Sequence, residues 1–75
     1  MKQEYYDRYR KLGLNIAYYR KLKGFTQDQL SEKMDIDQTH LSKIEVAGVG
    51  VSLDKLFLLA DILEIPVHEL FVFRD

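Results

Sequence analysis

Between Thr26 and Glu45, two short runs of helical periodicity meet at the tripeptide Asp35-Ile36-Asp37. Leu30 and Met34 mark one face of the first run, and Leu41 and Ile44 one face of the second, at steps of three and four residues. Thr26 and Gln29 have capping-box spacing, in which the hydroxyl satisfies an orphan amide and the glutamine reaches back. Asp35 suits the left-handed residue that ends a helix, and Asp37 suits the N-cap of the next. Ile36, between them, is expected to tuck into the core and set the angle between the helices. The stretch reads as a capped helix, a tight turn and a second capped helix.

The flanks continue the helical pattern. From about Gln3 to Lys23, Tyr5, Tyr9, Leu12, Ile16 and Tyr19 recur every three or four residues. Gly24 suits the C-cap of that first helix, and Phe25 is expected to plug the core beneath it. Ser52 is the N-cap of a fourth helix running to Leu63 or Glu64, with Asp54 in its first turn. Leu53, Leu56, Leu59, Ala60 and Leu63 form its expected core stripe, and Phe57, Leu58 and Ile62 are further apolar residues. Pro66 opens a fifth helix, tolerated there because its missing amide has no helical partner, and that helix ends at Phe71-Val72-Phe73. The expectation is an all-α, five-helix domain spanning residues 1–75.

In order along the chain, Leu12-Gly13, Ile16, Arg20, Gly24-Phe25-Thr26-Gln27, Leu30, Ile36, Leu41, Ile44-Glu45, Ser52-Leu53, Leu56, Leu59-Ala60, Leu63, Ile65 and Glu69-Leu70-Phe71 form an extended motif. This ordered set resembles the phage-repressor and Cro type of helix-turn-helix domain, the XRE family. The resemblance implies a lambda-repressor-like fold, with residues 1–11 as an N-terminal extension of the first helix. The tyrosines of that extension can pack against the body or against a partner chain. In the family, an arginine and a glutamate at the places of Arg20 and Glu45 commonly pair, tying the first helix to the end of the third.

The resemblance also implies a function. Members are mostly sequence-specific DNA-binding regulators whose second motif helix enters the major groove. Carried over position by position, the DNA-contacting residues are Gln38, Thr39, His40, Ser42 and Lys43, with Gln27 matching a position that meets the backbone and braces the first base reader. Gln38 has the groups for adenine, and Lys43 for guanine or a phosphate. After Glu45 the chain departs from the family: Val46-Ala47-Gly48-Val49-Gly50-Val51 carries no cation, Ala47 stands where glycine is usual, and Gly48 is expected to take over the left-handed turn. Such an apolar loop suits thymine methyls or a protein partner.

Charge separates the functional classes less cleanly. The net charge is −1, yet residues 1–25 hold seven cations against two carboxylates, while residues 26–75 hold four against ten. A basic first helix thus precedes an acidic remainder, which leads us to expect modest, salt-sensitive DNA binding unless two copies act together. Leu58, Ile62, Phe71 and Phe73 are the candidate faces of a homodimer; the alternative is that they complete a small core. No cysteine is present, and no stretch approaches the roughly 18 apolar residues of a membrane span. With no signal peptide in view, a cytoplasmic location is expected. No catalytic constellation, metal-spaced cluster or phosphate loop appears, so neither enzymatic activity nor a cofactor is expected. The sequence-level reading is a dimeric transcriptional regulator, a repressor at a palindromic operator in double-stranded DNA. Its rivals are an antitoxin, a restriction-modification controller, and a protein-interaction module that keeps the fold without DNA.

Overall fold

The four α-helices among the described residues all stop in the same way. The computed structural model describes residues 1–73, so the last two positions of the expected domain lie outside the described residues. In chain order it contains a 3-10 turn at Gln3–Tyr5, α1 (Tyr6–Leu22), α2 (Gln27–Met34), α3 (Gln38–Glu45), α4 (Leu53–Leu63) and a 3-10 turn at Val67–Phe71. At the four stops Gly24, Asp35, Ala47 and Glu64 take positive φ of 84°, 56°, 60° and 56°. The amide of the next residue then reaches back five positions: Phe25 to Arg20, Ile36 to Ser31, Gly48 to Lys43 and Ile65 to Ala60. This is the Schellman closure, which satisfies carbonyls that the helix end would otherwise leave bare.

Three of the four left-handed residues carry a Cβ, each at a cost of about 1–2 kcal/mol. Ile36 and Ile65, which follow Asp35 and Glu64, pack against the core and offset that strain, and Phe25 packs there likewise after the unstrained Gly24. The loop after α3 departs from the sequence-based expectation, because the left-handed residue is Ala47 and not Gly48. Gly48 instead supplies the amide that closes on Lys43 at 2.7 Å. Glu64 is exposed, so its strain relieves no burial. Glu64→Gly is therefore expected to raise stability by about 1 kcal/mol, or about 4–8 °C in melting temperature for a domain of this size. Thermal unfolding followed by circular dichroism checks this.

The helix starts are less uniform. Thr26 and Gln29 make both capping-box bonds, at 3.1 and 2.9 Å, and the Lys55 amide donates to Ser52 Oγ at 3.2 Å. Asp37 occupies the N-cap position of α3, but its carboxylate accepts no hydrogen bond from that helix. It borders a polar hollow with Glu32, Asp35 and His40 instead.

Leu12, Ile16 and Tyr19 of α1 meet Leu30, Met34, Leu41, Ile44, Leu56, Leu59, Leu63 and Leu70 in one core. Leu53, expected in the α4 stripe, is 62% exposed, because it sits at the first position of the helix, above the level where α1 covers it. The expected fifth helix is only the 3-10 turn, and the chain is extended at Val72. Asn15, buried in α1, explains the bend. Its Nδ2 donates to the carbonyls of Leu70 and Val72, at 2.9 and 3.0 Å, drawing both toward α1 rather than into a helical ladder.

Candidate nucleic-acid interface

The site begins with a glycine. At Gly13 α1 passes so close to the end of α3 that an added Cβ would lie 2.7 Å from the Ile44 carbonyl oxygen and overlap the Glu45 backbone. Seven residues further on, the same face of α1 carries Arg20 to Glu45. Arg20 Nε donates to Glu45 Oε2 at 2.7 Å and Nη2 donates to Oε1 at 3.1 Å, with both residues buried. Arg20 Nη1 also donates to the carbonyl of Phe25 at 3.0 Å, which fixes the turn into α2. Two parallel charge-assisted bonds and a third partner supply the geometry that a buried ion pair needs to offset desolvation.

From Glu45 the hydrogen bonds run outward. Gln27, at the start of α2, donates its Nε2 to Glu45 Oε1 at 2.9 Å. Gln38, at the start of α3, donates its own Nε2 to Gln27 Oε1 at 2.6 Å. A continuous path therefore leads from the buried guanidinium to an exposed side chain on α3. Leu41, Ile44 and Glu45 face inward, so Gln38, Thr39 and Lys43 are exposed, while His40 and Ser42 are half-buried beside them. The six residues carried over by resemblance thus lie at one end of α2 and along one side of α3.

The surroundings are mixed in charge. Glu32, Asp35 and Asp37 line the hollow that His40 borders, placing carboxylates at the edge of the polar face. The neutral loop lies mostly inward: Val49 and Val51 pack on the core, and Val46 alone of its valines is exposed. Gly50 rests against the Tyr9 ring, where an added Cβ would lie 3.6 Å from the ring edge. Away from this face, the Asp7 carboxyl is held below the ordinary 3.8, chiefly by the hydrogen bond from Arg10.

The four residues considered for self-association do not share one environment. Leu58 and Phe71 are exposed, whereas Ile62 and Phe73 pack partly against the core. Phe71 and Phe73 also line an apolar groove of about 310 Å³ with Tyr9, Val51 and Leu53. The bond from Gln27 to Glu45 was invisible in the sequence, because the two are 18 residues apart and no periodicity links them.

An outward polar face on α3, positioned by α2 across a tight turn, defines a helix-turn-helix domain. The Helix-turn-helix family model HTH_3 matches residues 16–70, and the chain belongs to this family, the XRE type of DNA-binding transcriptional regulators. Among solved structures, the restriction-modification controller protein C.AhdI from Aeromonas hydrophila superposes with a TM-score of 0.83 at 30% identity, covering 88% of this chain and 100% of that one. The master regulator for biofilm formation SinR, in complex with DNA, gives a TM-score of 0.73 at 33% identity over 79% of this chain and 95% of that one. A hypothetical transcription factor from Neisseria, NHTF, shares the fold with a TM-score of 0.83 at 24% identity over 89% of this chain and 75% of that one. No curated protein matches the chain.

Proposed function

We propose that the chain is a homodimeric repressor that inserts α3 into the major groove at each half of a palindromic operator. The observation that carries this is the path from Arg20 through Glu45 and Gln27 to Gln38, which holds a base-reading side chain in place before DNA arrives. Gln38 then reaches a base edge, Lys43 a guanine or a phosphate, Thr39, His40 and Ser42 touch the backbone or thymine methyls, and Gln27 meets a phosphate at the N-terminus of α2. Leu58 and Phe71, with Ile62 and Phe73 behind them, form the two-fold contact that sets the two α3 helices about one DNA turn apart. Repression follows from occupying an operator that overlaps a promoter, in the cytoplasm where that DNA lies.

A controller of a restriction-modification system is the second reading. The match to C.AhdI favours it, since the whole of that chain superposes on 88% of this one. The two readings share the DNA interface and differ in the genes controlled.

Selection of bound sequences from a random duplex pool tests the proposal, and a palindrome is the expected product. Gln38→Ala is expected to relax one base position in each half-site at a cost of about 1–3 kcal/mol. Lys43→Ala is expected to weaken all sequences alike if it meets a phosphate, lowering the salt slope by about one unit per half-site. A wild-type chain that shows no affinity for duplex DNA at low salt would leave the protein-interaction module as the surviving reading.

A further inference from the structure

A glutamine amide has two unlike ends of nearly the same shape, so its neighbours decide which end meets a ligand. Around Gln38 that decision traces back to a buried carboxylate. Glu45 can only accept, and beside the two bonds from Arg20 its Oε1 has room for a further donor but none to give. Gln27 must therefore turn its NH2 inward to Glu45 and its oxygen outward. That oxygen can only accept in turn, so Gln38 must present Nε2 to it, at 2.6 Å. One Nε2 hydrogen of Gln38 is thereby occupied, and its other hydrogen and its Oε1 are left for the groove.

We infer that Glu45 is a positioning residue that sets the base preference of Gln38, acting through Gln27 and restricting Gln38 to one donor and one acceptor. The inference rests on the proposed reading that α3 enters the major groove. Adenine presents an N7 acceptor and an N6 donor there, matching the pair that Gln38 has left, whereas guanine presents two acceptors, N7 and O6. A free glutamine amide can turn its NH2 to guanine. This one cannot turn without setting two oxygens face to face, leaving Gln27 Oε1 unmet. The ion pair thus selects a base that it never touches.

The test uses the whole chain as wild type, Gln27→Met and Glu45→Gln, each held well below its melting temperature. In sequences selected from a random duplex pool, wild type is expected to favour adenine over guanine by about tenfold or more at the base opposite residue 38. Gln27→Met cuts the link, and the ratio falls several-fold toward unity, whatever happens to affinity. Glu45→Gln removes the constraint at its source, because either end of the new amide can face Gln27, each orientation setting one N–H against Arg20. Gln27 and Gln38 then lose their fixed sense, and the adenine-to-guanine ratio again falls toward unity. One adenine-to-guanine ratio shared by all three proteins overturns the inference.

A DNA-free measurement separates this failure from failure of the proposed function. Wild type is expected to give a scalar coupling across the hydrogen bond from Gln38 Nε2 to the Gln27 side-chain carbonyl carbon, and Glu45→Gln a diminished one. Its absence in wild type overturns the inference and leaves DNA binding intact. Its presence in a wild type that selects no sequence rules out the regulator, and base choice by Gln38 with it.

Discussion

Gly13→Ala is expected to remove about 3 kcal/mol or more of stability, because the new methyl meets backbone and not a movable side chain. A 75-residue domain has only about 4–11 kcal/mol in all. The melting temperature should accordingly fall by more than about 12 °C. The two elements in conflict are α1 and the last turn of α3, and neither can yield without moving Arg20 from Glu45. Gly48→Ala is the control. Its added Cβ would lie 3.5 Å from Lys43 Cβ, an ordinary contact, and its effect should stay within about 0.5 kcal/mol. Equal melting temperatures for the two variants would show that the helices do not approach closely at Gly13.

Arg20→Ala and Glu45→Ala should each cost about 3–5 kcal/mol, since each strands a buried charge. The arginine change is expected to be the worse of the two. It also leaves the Phe25 carbonyl without its donor and frees the turn into α2. Replacing both partners together, Arg20→Met with Glu45→Leu, removes two desolvated charges at once and should recover most of the loss. Urea unfolding of the two alanine variants and their combination gives a double-mutant cycle, with a coupling of about 1–3 kcal/mol expected. Zero coupling would mean that the pair contributes nothing as a pair.

What the sequence revealed depended on how local the cause was. The capping box at Thr26 and Gln29 and the cap at Ser52 were legible, because donor and acceptor lie three residues apart on one chain segment. Leu30, Met34, Leu41 and Ile44 declared their inward faces by spacing alone. The stop after α3 was misplaced by one residue, since whether Ala47 or Gly48 turns left-handed depends on which amide closes on Lys43, a choice made by packing. Leu53 followed the stripe in sequence yet sits at the open end of α4. The last turn failed as a helix because Asn15, 55 residues away from Leu70, claims its carbonyls. For the interface, residue types and order pointed to α3, while the link from Gln27 to Glu45 needed coordinates.

The clasp made by Asn15 has a consequence for synthesis. Leu70 fills the centre of the molecule, and the carbonyls that hold Asn15 belong to residues 70 and 72, so the first helix meets its final partners only when those residues exist. A nascent chain therefore leaves Asn15 and the part of α1 beneath Leu70 uncovered until residues 70–72 have emerged from the ribosome. The clasp on Asn15 can close only after residue 72 has left the exit tunnel.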